Sequence, residues 1–392
     1  MGFADISHIA FPWDLLTGFA AHARAHRDGL IDLSVGTPID DTPEIIQQAL
    51  AQAASAPGYP ATAGSVDLRQ AVVEWFARRR QVPGLDPRGV MPTVGSKEFV
   101  GLVASLLGLG PGDVVVHPDV AYPTYDVGAR LAGAAPFAAS DVDQWRHNPR
   151  VRLVWVNSPG NPHGRVASIS ELRDVVHAAR ALGAVVISDE CYAELAWSPE
   201  LRDGGVPSLL DPRVTDGDLS NLLVTYSLSK QSSIAGYRAA FVAGDVSVVQ
   251  RLIATRKHLG MIVPAPVQHA MAVALRDDAH VADQRARYGR RRALMRPVLE
   301  SAGVALSHSE AGLYLWGSAS RALGTLSDEA TRLAVTARGE LPGECWDVVG
   351  YFADRGILVA PGAFYGRAGA DHVRIALTSS DSSIDQFITR LS

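Results

Sequence analysis

Four continuous apolar runs constrain this chain more than any other feature. VVVH (114–117), VRLVWV (151–156), AVVIS (184–188) and LLVTYS (222–227) show no alternation of apolar and polar residues. Strands buried on both faces read this way, whereas half-exposed strands alternate. Amphipathic stretches separate them, such as SISELRDVVHAARALG (168–183), which Ser168 and Ser170 open as caps and Gly183 closes. Alternating buried strand and helix predicts a mostly parallel α/β sheet with right-handed crossovers. AAFVAG (239–244) follows LLVTYS too closely for a helical crossover, so one antiparallel strand is expected.

Beyond about Pro266 the pattern changes. Long Arg-rich helical patterns precede three short strands, GLYLWG (312–317), GILVAPG (356–362) and HVRIALT (372–378). A smaller α+β domain is expected there. The division read from the sequence is a large α/β domain over 41–269, with an N-terminal arm (1–40) joining 270–392 in the small domain. A length of 392 residues suits two such domains. TVGSKE (93–98) opens a helix but follows no long strand in this reading.

Several function classes fall away. The net charge of −5, from 36 basic and 41 acidic residues, leaves no basic footprint for nucleic acid. Cys191 and Cys345 make neither a disulfide framework nor a CxxC zinc pair, and no metal is expected. The first ten residues, MGFADISHIA, lack the basic start of a signal peptide and the Ser or Thr of a myristoylation site. The longest uncharged stretch, 258–275, holds Pro264, Pro266, Gln268 and two histidines, too broken for a membrane span. A cytoplasmic protein is expected. His22 and His26 have helical metal-ligand spacing but Ala23 in place of the peptidase glutamate, and read as surface.

Only three of the 36 basic residues are lysines: Lys97, Lys230 and Lys257. Lys257 sits among other basic residues on a helical pattern. Lys97 stands before Glu98 at a helix start. Lys230 is the only charged residue between Asp218 and Arg238. An amine just after a buried strand loses hydration, which favours its neutral, nucleophilic form. Ser227, Ser229 and Arg238 flank it in SLSKQSSIAGYR. Hydroxyls with an arginine make a phosphate cradle, and an amine beside them makes a covalent anchor. Together they suggest a phosphorylated aldehyde cofactor held as a Schiff base. The competing S-x-x-K motif of penicillin-recognising enzymes needs S-D-N and K-T-G downstream, and neither is present.

Other candidates stand at further strand ends. In ISDECY (187–192), Asp189 ends a strand and Tyr192 follows in a loop. Acids at the carboxyl ends of parallel strands face the ligand crevice. A carboxylate there keeps a pyridine nitrogen protonated, which makes the ring an electron sink. NSPGNPHG (157–164) offers Asn161 as a rigid amide donor, and the amides of Ser96 and Lys97 suit an anion at the positive helix end. Arg374 projects from a strand opposite Val373, Ile375 and Leu377. An exposed edge explains that placement; a buried one calls for a carboxylate partner.

These segments together resemble the fold-type I, pyridoxal-phosphate-dependent aminotransferases of classes I and II, over essentially the full chain. SVGTP (34–38), YPATAGSVDLRQAV (59–72), GSKE (95–98), AYPTY (121–125), NSPGNPHG, SDECY, SLSK with GYR, and VRIAL carry the match. By that resemblance Lys230 forms the Schiff base and shuttles the proton between the substrate Cα and the cofactor. Asp189 pairs with the pyridine nitrogen, Tyr192 and Asn161 bond the phenolic oxygen, and Tyr122 stacks on the ring. Ser96, Lys97, Ser227 and Arg238 hold the phosphate, with Tyr59 reaching across from the other subunit of a homodimer. Arg374 and Gly36, with Asn161, receive the substrate. His163 stands where the family has threonine, which touches only the local turn.

Within the family, PTVGSKE, HPDVAYPTYDVGARLAGA, LSKQSSIAGYRAAFVAGD, RKHLGMIVPAPVQ and HSEAGLYLW are similar to actinobacterial N-succinyldiaminopimelate aminotransferases of lysine biosynthesis. That resemblance implies N-succinyl-L,L-2,6-diaminopimelate as amino donor and 2-oxoglutarate as acceptor. An aspartate, alanine or aromatic aminotransferase is the alternative, and a β-lyase on the same fold, releasing ammonia without a keto acid, is a further one. A transcriptional regulator with an aminotransferase-like domain needs an N-terminal DNA-binding domain, for which motifs beginning at residue 34 leave no room.

Overall fold

The computed structural model describes residues 12–319 and 323–392; the decapeptide read above for targeting lies outside them. Seven strands form the main sheet: β1 Val90–Val94, β2 Val114–His117, β3 Ala135–Ala138, β4 Val151–Asn157, β5 Val185–Asp189, β6 Leu222–Ser227 and β7 Ala239–Gly244. Their order is β1-β7-β6-β5-β4-β2-β3. β7 pairs antiparallel with both neighbours, and all other pairs are parallel. The mostly parallel sheet with one reversed strand is as the sequence implied.

Two strands, each interrupted by a proline (Pro92 and Pro136), lack the unbroken apolar run of the others. β1 carries Pro92, which cannot donate to a ladder and is tolerated because β1 is an edge strand. β3, at the other edge, is largely exposed and so lacks a buried pattern. The first two residues of TVGSKE thus close a five-residue strand, and the helix opens at Ser96.

Side-chain alternation splits each inner strand between two cores. Val154, Val186, Val224 and Phe241 pack with Trp75, Phe76, Leu172, Val176 and Leu275 on one face. Leu153, Trp155, Ile187, Leu223 and Val242 pack with Phe99, Val103, Tyr125 and Leu252 on the other. Each fully buried aliphatic side chain stabilises by roughly 1.5–3 kcal/mol relative to exposure. The helix Ile169–Leu182 shows how the ends are set: Ser168 and Glu171 form a reciprocal capping box, and Gly183 closes it in the left-handed conformation.

Two compact units result. The larger comprises Thr37–Arg290 and His308–Leu313; the smaller comprises Met1–Gly36, Arg291–Ser307 and Tyr314–Ser392. The chain leaves the larger unit at 290/291. The helix Ala265–Arg276 packs on Glu44–Gln52 and Val66–Arg79, which keeps it with the sheet. In the smaller unit, His372–Ala376 lies between Ala360–Pro361 and Tyr314–Ser318, with Ala305–Leu306 at the edge. His22 there bonds Asp354 at 2.7 Å, so it is an anchored side chain rather than plain surface.

Candidate active site

In the larger unit, several candidates stand where strands of the main sheet end. β4, β5 and β6 end at Asn157, Asp189 and Ser227, and Asn157 lies opposite Asp189. β7 runs the other way, so its first residues lie opposite the ends of β1 and β6. Val94 pairs with Ala239, and Ser227 with Ala240. Gly95, Ser96, Arg238 and Ser227 become neighbours through this register.

Gly95 shows how tightly they meet. A Cβ on it would strike the Arg238 guanidinium, and its φ of 74° is one that glycine adopts without strain. Gly95 caps the helix Ser96–Leu106 with no side chain over the first amides. Glu98 in that first turn is occupied by the buried Arg256, with N–O distances of 2.7 and 3.1 Å. Ser227 Oγ donates to Ser229 Oγ at 2.8 Å. Free helix amides, serine hydroxyls and a guanidinium against a bare glycine fit a phosphate group.

Asp189 is 7% exposed. Tyr125 donates its hydroxyl to Oδ2 at 2.8 Å, and the Cys191 amide donates to Oδ1 at 3.2 Å. Burial pushes the carboxyl above the ordinary aspartate range, and these neutral donors oppose that shift. A buried carboxylate held by neutral donors fits a cationic partner such as a protonated ring nitrogen. The next residue, Glu190, is pinned by Arg80 at 2.6 Å and by the Ser208 hydroxyl and Leu209 amide. This fixes the backbone that carries Asp189.

The sequence reading missed Tyr125 and Asn157. Burial, then the adjacent Asp189, raises the Tyr125 phenol well above its usual range, so it remains a donor. Its ring stacks on Trp155 at 4.7 Å. Tyr122 meets Tyr125 edge-on at 5.8 Å. Asn157 donates to the carbonyls of Pro159 and Asp189 and accepts the Asn161 amide at 2.8 Å, which sets the loop bearing Asn161. Both residues lie inside quoted motifs, AYPTY and NSPGNPHG, yet nothing in their type separates a brace from a filler. Tyr125→Phe is expected to lower turnover by about ten- to a hundredfold, one hydrogen bond to a charged group being worth ~1.5–3 kcal/mol. A variant equal to wild type across pH 6–9 overturns that role.

His163 leaves its turn intact. Its ring fills the space a side chain at Gly160 would take, and its Nδ1 accepts the Arg165 amide at 3.1 Å. Tyr192 and Asn161 are buried, Lys230 is half-buried, and Lys97 and Tyr59 are exposed.

The smaller unit carries the other two candidates. Arg374 is 4% exposed on a central strand, so the edge explanation fails. Its guanidinium lies 4.0 Å from the Tyr314 ring centre and 4.9 Å from that of Tyr365, and Nη2 donates to the Ser34 carbonyl at 2.6 Å. Gly36 has the Tyr314 hydroxyl where a Cβ would stand. Ala376 and Thr378 hold this segment through the carbonyls of Leu33 and Val35.

Fold and site together define an enzyme of the pyridoxal-phosphate-dependent class. The chain belongs to the aminotransferase class I and II family, whose model matches residues 28–391. It is 50% identical over 381 residues to a probable aminotransferase of Mycobacterium tuberculosis, covering 97% of this chain and 84% of that one. It is 47% identical over 381 residues to the 4-dedimethylamino-4-oxo-anhydrotetracycline transaminase OxyQ of Streptomyces rimosus, covering 97% and 98%. Among solved structures, a probable N-succinyldiaminopimelate aminotransferase of Thermus thermophilus superposes with a TM-score of 0.81 at 26% identity, covering 97% and 99%. The diaminopimelate likeness expected from the motifs is thus weaker, by identity, than the likeness to OxyQ. No helix among the described residues is long and apolar enough to cross a membrane.

Proposed function

We propose that this aminotransferase moves the amino group of N-succinyl-L,L-2,6-diaminopimelate to 2-oxoglutarate. The observation that carries the amino-acid part is Arg374, a buried guanidinium between two tyrosine rings, suited to one carboxylate through a two-pronged contact. The long anionic arm is supported by the motif resemblance and by the name of the Thermus structure. The 47% identity to OxyQ supports a second reading, in which the amino acceptor is a 4-oxo-anhydrotetracycline.

When bound, pyridoxal phosphate supplies the aldehyde and the electron-withdrawing ring that accepts the pair left at the substrate Cα. In this reading Lys230 would hold the aldehyde and would carry a proton to and from the substrate Cα. Asp189 holds the ring nitrogen protonated, and Tyr192 and Asn161 orient the phenolic oxygen. Tyr122 covers the ring face. Ser96, the Lys97 amide, Ser227 and Arg238 bind the phosphate. Arg374 and Gly36 receive the α-carboxylate. The buried thiols Cys191 and Cys345 suit a cytoplasmic setting.

A donor panel with 2-oxoglutarate tests the substrate. A pocket that pairs the anionic arm leaves polar groups unpaired with a short donor, a penalty of up to roughly 10⁴ in specificity. The succinylated donor is expected to exceed alanine, aspartate and free diaminopimelate in kcat/KM by several orders of magnitude. Arg374→Lys weakens every donor, because an ammonium lacks the planar fork. A higher kcat/KM for aspartate or an aromatic donor sinks the diaminopimelate reading. Faster amination of the tetracycline ketone than of 2-oxoglutarate selects the second.

Tyr59 is 100% exposed, which suits a reach to the phosphate of a second copy in a homodimer. Mixing a Tyr59→Ala chain with a Lys230→Ala chain should then restore one intact site per dimer, to about a quarter to a half of wild-type turnover. No complementation, with a monomeric mass in solution, removes the shared site.

A further inference from the structure

A chain of five side chains ends beside Lys230. The Tyr226 hydroxyl donates to Gln231 Oε1, and Gln231 Nε2 donates to Ser232 Oγ at 3.2 Å. Ser232 Oγ lies 2.8 Å from His280 Nε2, and His280 Nδ1 lies 2.8 Å from Asp277 Oδ2. A carboxylate only accepts, so Nδ1 carries the proton and Nε2 accepts from Ser232. Every donor therefore points one way, from β6 to the junction of the helices Ala265–Arg276 and Asp278–Ser301.

Serine, histidine and aspartate in this order form the constellation of a nucleophilic triad. Here it has another use. Ser232 has no exposed surface, and its oxygen already accepts from Gln231, so no substrate reaches it. A second rung runs from the same helix face. Gln284, one turn after His280, bonds Asp40 Oδ2 at 2.8 Å, and the Asp40 carbonyl accepts from Ser233 Oγ. The two rungs clamp the residues that follow Gln231, while the Ser232 amide bonds the Leu228 carbonyl at 3.0 Å across Lys230 itself.

We infer that His280 is a positioning residue for Lys230: with Ser232 and Asp277 it locks the turn 228–233 and so fixes where the Lys230 amine stands. The inference rests on Lys230 being the cofactor anchor. A misplacement of about 1 Å at a reacting group can cost roughly 10²-fold in rate, so a rigid turn matters more than its modest hydrogen bonds suggest.

Hydrogen exchange on the full-length protein, with and without cofactor, reads the turn directly. His280→Leu and the milder Ser232→Ala are expected to speed exchange in 228–234 about tenfold, with β5 unchanged. His280→Gln, which keeps an acceptor and a donor within reach, restores most of the protection. In the loaded enzyme kcat falls about tenfold for His280→Leu while the donor KM moves less than twofold. Unchanged exchange at 228–234 in both variants, an increase spread evenly over the sheet, or a glutamine variant no better than leucine overturns the inference. Borohydride labelling of another lysine overturns the anchor instead, and leaves the exchange result to stand.

Discussion

Lys230→Ala is expected to give folded protein that borohydride no longer labels and whose turnover has fallen roughly 10⁴-fold or more, since in the proposed site one substitution removes both nucleophile and proton carrier. The fold survives because Lys230 is half-buried at a strand end and fills no core. In the parent protein, borohydride should fix the cofactor to the peptide containing Lys230. The other two lysines, Lys97 and Lys257, are exposed on helices and serve as internal controls. A label on either one ends the assignment of Lys230.

Asp189→Asn should lower the half-reaction rates by several orders of magnitude with cofactor still bound. The change keeps volume nearly constant and removes the negative charge that, in the proposed site, would face the ring nitrogen. It also turns one of two acceptor oxygens into a donor, so either the Tyr125 hydroxyl or the Cys191 amide meets a donor in place of its acceptor. Retention of the cofactor is expected because the proposed phosphate cradle, where Arg238 closes on Gly95, is separate from Asp189. An asparagine variant within tenfold of wild type, about 1.4 kcal/mol in barrier, assigns Asp189 another job.

The parallel sheet was legible because β4, β5 and β6 are apolar on both faces, and the reversed strand because too few residues precede it for a crossover. β1 and β3 were not, since an edge strand with a proline or an exposed face carries no such signal. Asp189 could be picked out at a strand's carboxyl end, Lys230 by its isolation and Arg238 by its nearness to Lys230. The residues that hold them could not. Tyr125, Asn157 and His280 act through distances across 32 to 64 positions of chain, and a lone tyrosine, asparagine or histidine reads equally well as filler. The packing of Ala265–Arg276 on helices some two hundred residues earlier likewise leaves no local mark.

The pairing of β1 with β7 also bears on how the chain matures. Val94 and Ala239 are about 145 positions apart, and the loop-closure entropy of such a contact makes it a late event in folding. Gly95 meets Arg238 only once that pairing is in place. A nascent or half-folded chain therefore has a lysine but no phosphate seat. Uptake of the cofactor then waits for the finished sheet, and because it binds that state alone, it draws the population toward it by mass action. The yellow colour of the holoenzyme would mark chains in which β1 has paired with β7.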